Sequence, residues 1–421
     1  MGLALTTDKT PLRLTPPPRQ NDPSLSPLLG LAPFLRQNIA GIDLQPLAAE
    51  MLTQAGNRPD DAELWMNLAT AMFCLGQRDL GLSIQRAALA QQQVYALPAE
   101  RQPARFRLLM LMAPGDLAAN TPLECLLENT DIDLIFYYLA EQFFASPIPE
   151  HDALIVCLSE AEENQPLLAA LERALADWPK PVINRSENIR LVERAVASRL
   201  LQNIPGLLMP STIPVTRLDL LAIAGSTAEL ADLLANGDFP VILRPLGSHA
   251  GRDLERIGDR NELAAYLAGV DENDFFLAPF IDYRGQDGLF RKFRVALIDG
   301  QPFACHMAVS ANWMIHYVNA GMYEDAAKRA EERRFMENFA DFAERHSAAL
   351  AAIHQRTQLD YLCLDCAETA DGQLLIFEID HAMVVHAMDS EELFPYKQLH
   401  MQKVQDAFRA FLFRQIPETA E

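Results

Sequence analysis

No run of apolar residues in this 421-residue sequence approaches the roughly 18 that a helix needs to cross a bilayer. The N-terminus also lacks the continuous apolar core of a secretory leader. Basic residues are scarce: 35 Lys and Arg stand against 57 Asp and Glu, for a formal charge of -22. Such a field repels phosphate backbones and anionic lipid, so neither a nucleic-acid nor a membrane role is expected, and the cytoplasm is the expected location. A small anionic ligand would need a local basic pocket. Cysteine supplies no framework either. Cys74, Cys125, Cys157, Cys305, Cys363 and Cys366 are scattered through apolar segments, where a thiol behaves as a small buried hydrophobe. Cys363 and Cys366 form a C-x-x-C, but in a strand that spacing sends the two side chains to opposite faces. With no second pair, zinc or redox use is not expected.

What is present is a chain half of whose residues are hydrophobic, enough for two to four domains at roughly 100 to 200 residues each. Residues 1–40 begin with prolines at 11, 16, 17, 18, 23 and 27 and are expected to be a flexible lead. Residues 41–98 read as helices, with a break near Gly76. There Trp65, Leu68, Ala69, Met72, Gly76, Gly81 and Ala88 resemble the tetratricopeptide-repeat pattern over about one repeat. A plain helical hairpin explains them equally well. One such unit cannot bury its own apolar face, so it should lean on the next domain or on a protein or peptide partner. Residues 104–185 alternate apolar runs with helical stretches, the pattern of a small parallel α/β layer. A single helix is then expected over ENIRLVERAVASRLLQ, residues 187–202.

Two clusters carry chemistry. In PVILRPLGSHAGRD a buried strand delivers Arg244 to a turn containing Gly247, Ser248 and Gly251. Small residues let backbone N–H groups approach phosphate oxygens while the guanidinium supplies charge. A bland turn with a surface arginine is the competing explanation. In LDYLCLDCAETADGQLLIFEID two strands flank an Asp371-Gly372 turn, and FRVALIDGQPFACHMAV turns likewise at Asp299-Gly300. Period-two alternation puts Asp365 on one face of its strand, and Glu378 with Asp380 on one face of the next. Acids in apolar strands need a cation or a proton, and a hard divalent ion would supply the former. An edge hairpin with solvent-facing acids is the alternative, against which the run LLIF argues.

The order of these features resembles the ATP-grasp superfamily over about residues 104–412. That resemblance implies an α/β (α+β) architecture: an ATP-grasp fold of two subdomains, 186–275 and 276–421, preceded by the small α/β domain and the helical segment. It assigns Arg194, Arg244, Gly247, Ser248 and Gly251 to the phosphates of ATP. Ala278, Phe280 and Ile281 fall in the hinge whose backbone holds adenine, and Asp365, Glu378 and Asp380 fall on the magnesium ligands. Arg294 matches the arginine near the transferred phosphate, while His306, His316 and Asn319 lie where the substrate is received. Arginine replaces the usual lysine at 194 and 244, proline without an N–H stands at 279, Asp380 replaces an asparagine, and His306 an arginine. The implied reaction activates a carboxylate as an acyl-phosphate and joins it to an amine, on small-molecule or peptide substrates, with ATP and Mg2+. Phosphate transfer to a stable acceptor is one alternative. A helical adaptor with little turnover is another.

Overall fold

The computed structural model describes residues 26–140, 144–235, 237–248 and 251–416, together with the backbone of Leu14–Thr15. The proline-rich residues 16–18 lie outside the described residues. Within the segment expected to be a flexible lead, Ala32–Ile39 is helical, with a proline in its first turn and Phe34 buried. Two compact units divide the chain. One holds residues 1–157, 178–182 and 415–421, and the other holds 158–177 and 183–414.

In the first unit, helices Gln45–Asn57, Ala62–Cys74 and Arg78–Gln91 enclose a core of Leu64, Leu68, Ala71 and Ile84. Asp61 caps the middle helix by accepting the Leu64 N–H at 3.1 Å. Gly81 is where two helices approach closely, since a Cβ there would lie 2.5 Å from the Phe73 ring. Gly81→Val should therefore cost about 2 kcal/mol of stability by overpacking, read from urea denaturation. The helical reading stops short of 98: Val94–Leu97 is a strand. It pairs antiparallel with Ile132–Tyr138, beside which Phe106–Met112 and Ala153–Val156 run parallel. The expected parallel layer thus carries one antiparallel edge. The helices meet this layer through Gln85, which exchanges two hydrogen bonds of 2.9 Å with the Gly115 backbone.

The second unit contains two sheets. A four-stranded antiparallel sheet runs in the order Glu255–Ile257, Val241–Pro245, Asp274–Pro279, Ile213–Thr216. Its core of Val241, Leu243, Phe275 and Leu277 packs with Leu220 and Leu263 of helices Arg217–Ala224 and Arg260–Gly269. A five-stranded sheet runs in the order Gln301–Ser310, Phe290–Ile298, Tyr361–Glu368, Leu374–Asp380, Leu207–Leu208. Both expected Asp-Gly turns form. Asp299 (φ 51) and Gly300 (φ 73) take the two positive-φ positions of a two-residue hairpin loop, and Gly372 (φ 82) follows Asp371.

The helix expected over 187–202 is broken. It divides into Ser186–Ile189, a 3-10 turn Arg190–Val192 and Arg194–Leu200. Glu193 is the cause: it takes an extended conformation and its carboxylate accepts the N–H groups of Ala195 and Val196, at 3.1 and 2.7 Å, capping a new helix. Arg194 thereby becomes the first residue of that helix.

Candidate functional site

Within the second unit a cavity of about 360 Å³ is lined from both of its sheets. One wall is apolar, with Met209, Ile242, Leu254 and Phe276 beside the strand end Ala278–Ile281. Trp313 meets Phe280 edge-on at 5.9 Å, and Arg256 lies 4.9 Å over the same ring. The other wall is charged. Arg194, Arg244, Lys292 and Arg294 all reach it, and among the described residues Asp365 and Glu378 are the acids beside them.

The register of the five-stranded sheet explains this arrangement. Arg294 is the direct cross-strand partner of Asp365, and Asp365 of Glu378, so the three share a face. Lys292, two residues before Arg294, shares it too. Asp365 is buried; its oxygens accept from Arg294 at 2.8 and 3.1 Å, and Lys292 Nζ lies 2.7 Å away. Burial alone would raise its pKa, but Arg294 and Lys292 overwhelm that effect and hold the carboxyl far below the usual carboxylate range. Glu378 pairs with Arg194. Arg244 donates to the hydroxyl and carbonyl of Ser248 in its own loop. Burial, then the neighbouring Arg194, pushes its guanidinium down to about 10, so its positive charge is held at a cost an incoming anion would relieve.

His316 reaches the same cavity. Burial, then Lys292, lowers its basicity, and its buried Nε2 has no hydrogen-bond partner. It lies against Gly251 (φ +71), where a Cβ would sit 2.6 Å from that nitrogen.

The sequence-expected residues thus divide. Arg194, Arg244, Gly251, Ala278, Phe280, Ile281, Arg294, His316, Asp365 and Glu378 line the cavity. Gly247, Ser248, His306, Asn319 and Asp380 do not. Ser248 instead anchors Arg244. His306 faces Tyr317 at 4.8 Å, and burial followed by Arg294 and Lys397 keeps its imidazole well below its ordinary basicity. Asn319 accepts the His316 N–H at 3.0 Å and so shapes the turn that presents that histidine. Phe280 spends its N–H on the Pro240 carbonyl, at 3.1 Å, so that backbone donor is not open to a base. Sequence reasoning missed Lys292 and Tyr283; the first could have been found, because it stands at i-2 from Arg294 in a strand.

The expected convergence of three carboxylates on one ion is not what forms. Among the described residues no three His, Cys, Asp or Glu side chains are grouped closely enough to hold a metal. Asp365 is already balanced by two cations. Glu378 and Asp380 are hard oxygen donors of the kind magnesium takes, two residues apart on one strand face, and of the two Glu378 lines the cavity. Burial, and then Glu378, pushes the Asp380 carboxyl up to about 6, a mutual repulsion that a divalent cation would remove.

Glu160 adds to this acidic pressure. Burial, then Glu193 and Asp380, pushes it up to about 7, against a 2.5 Å hydrogen bond from Gln165. Because the folded state raises this value, the associated stability is present in acid and lost as pH climbs toward and past 7. Glu160→Gln should therefore stabilise the chain above neutrality by about 1–2 kcal/mol, reduced by solvent screening at this partly open site, and give no gain near pH 4, as followed by urea denaturation at both pH values.

No family model matches the chain. Solved ATP-grasp structures are similar to it. A D-alanine–D-alanine ligase from Bacillus anthracis complexed with ATP is 15% identical, covering 72% of this chain and 99% of its own, with a TM-score of 0.42. An ATP-grasp RimK domain protein from Sphaerobacter thermophilus is 17% identical, covering 73% and 99%, at 0.41. The ATP-grasp ligase PsnB, complexed with precursor peptide PsnA2 and AMPPNP, is 14% identical, covering 75% and 100%, at 0.39. Against the ATP-grasp pattern read from the sequence, Lys292 supplies a cation on the charged wall in addition to the arginines at 194, 244 and 294.

Proposed function

We propose that this chain is an ATP- and magnesium-dependent ligase of the ATP-grasp kind, acting on a carboxylate and an amine in the cytoplasm. The observation that carries the reading is the cavity itself. In a chain of charge -22, four cations converge on one wall beside an apolar slot, and a buried histidine nitrogen there has no partner. A nucleoside triphosphate matches both halves, its base in the slot and its phosphates among the cations.

In this reading Arg194 and Arg244 grip the phosphates bidentately, and Gly251 leaves room for close approach. His316 Nε2 accepts or donates one hydrogen bond at the far end. Magnesium, held by Glu378 and Asp380, would neutralise phosphate charge. Arg294 and Lys292, fixed by Asp365, aim positive charge at the oxygens that gain charge as phosphorus is transferred. A substrate carboxylate oxygen attacks the γ-phosphorus and ADP departs; an amine then attacks the acyl carbon, loses a proton, and inorganic phosphate leaves. No side chain need act as a nucleophile. The substrates are small molecules or a peptide, the latter with the N-terminal helices as a docking element.

The test is ADP release and product mass with ATP, magnesium and pools of carboxylates and amines. A dehydrative mass gain is expected, and Glu378→Gln should lower turnover at least about tenfold while the fold is kept. A stable phosphorylated product would favour the phosphotransferase alternative instead. Absence of nucleotide binding by calorimetry, with and without magnesium, would leave the adaptor reading.

A further inference from the structure

Glu193 and Arg194 are consecutive, yet the chain gives them separate tasks. Glu193 spends its carboxylate on the N–H groups of Ala195 and Val196, at 3.1 and 2.7 Å. Arg194, the first residue of the helix Arg194–Leu200, reaches to the strand Leu374–Asp380 and pairs with Glu378. Both side chains line the large cavity, 25% and 34% exposed.

The other charges on that wall are held differently. Asp365, directly opposite Glu378 in the sheet, is buried and takes both Arg294 and Lys292. Arg244 donates to the hydroxyl and carbonyl of Ser248, and the charges of Arg194 and Glu378 both act on it. The Asp365 cluster can stay closed while a polyanion binds, because its three groups carry surplus positive charge. The Arg194–Glu378 pair is neutral as it stands, so it offers a phosphate little until it parts.

The cost of parting depends on what arrives. A metal-free polyphosphate takes Arg194 and leaves a bare carboxylate beside its own negative charge. A polyphosphate carrying a divalent cation takes Arg194 and gives Glu378 a cation in exchange, so the charges balance again. The pair therefore couples the two binding events, and by linkage the coupling is reciprocal. Solvent screens a pair exposed to this degree, which keeps the effect modest.

We propose that the Arg194–Glu378 ion pair sets the preference of this cavity for metal-bound over metal-free nucleotide, because only a ligand bearing both charges exchanges it without loss. This rests on the nucleotide-binding reading of the cavity and assigns the pair a role in specificity that neither residue has alone.

The test is calorimetry of the full chain with ATP in EDTA, taken to millimolar concentration, beside ATP with excess magnesium. Glu378→Gln is a neutral isostere that releases Arg194. It is expected to bind metal-free ATP about threefold to tenfold tighter than the wild type, although it removes a proposed metal ligand. In an Arg194→Met background the same substitution should gain less than about twofold, because no guanidinium is left to release. Glu378→Ala carries the same expectations, and circular dichroism checks that each variant is folded. Equal gains in the two backgrounds would mean that Glu378 acts only by repelling phosphate and would overturn the proposal, as would unchanged or weaker metal-free binding in the folded variants. A wild type that binds ATP neither with magnesium nor without it overturns the nucleotide reading and the proposal together. Magnesium-dependent binding with no gain in Glu378→Gln overturns the proposal alone.

Discussion

Lys397→Met should lower the unfolding free energy by about 3–5 kcal/mol, measured by urea denaturation with the slope unchanged. Lys397 is 2% exposed and lies between Glu332, fully buried, at 3.2 Å and Asp389 at 2.9 Å. It also sits 4.0 Å over the Tyr317 ring and 4.6 Å over Phe394. Methionine fills the stem but removes the ammonium that pairs with both acids. Glu332 would keep its bonds from the Met307 N–H, Tyr317 and Tyr396, at 3.1, 3.0 and 2.6 Å, but not its charge balance. Asp389, whose carboxyl Lys397 holds below the usual range against the effect of burial, would lose its main stabilising charge. Adding Glu332→Gln to the methionine variant should recover part of the loss, because a neutral amide can occupy the site without a counter-charge. A loss under 1 kcal/mol would mean that water reaches these acids.

Arg294→Met is expected to cost about 3 kcal/mol and to abolish tight nucleotide binding, read by denaturation and by calorimetry with ATP and magnesium. The stability cost falls at the lower end because Lys292 stays on Asp365 Oδ2. The guanidinium also donates to the Val384 carbonyl at 3.1 Å, a contact methionine cannot replace. Arg294→Lys restores charge but not the paired donors, so it should recover more stability than binding. Intact nucleotide binding in the methionine variant would remove Arg294 from the phosphate site.

Much of the strand framework was legible because its turn chemistry is local. Asp-Gly pairs at 299 and 371 fix two hairpins, and alternation along each strand then puts Arg294, Asp365 and Glu378 on one face. What stayed hidden depends on distance in sequence or on a single competing bond. The break at Glu193 arises from a carboxylate capping its own chain, which helical periodicity does not register. The pairing of Asp365 with Lys292 spans more than 70 residues and turned an expected metal ligand into an anchor for cations. The Lys397 network joins residues from 307 to 397, and no local pattern announces it. Residues Gly247 and Asn319 fit a motif by position, yet the cavity passes them by.

The charged cavity and the chain that surrounds it also oppose one another electrostatically. A polyanion meets the repulsion of a strongly acidic surface before it meets the four cations inside. Dissolved salt weakens both fields, the outer one over a range of about 8–10 Å at physiological strength. Capture and grip therefore respond to ionic strength with opposite signs: salt eases approach and loosens hold. Discrimination follows from this, because only ligands with enough localised charge to recover inside what they lose outside remain bound.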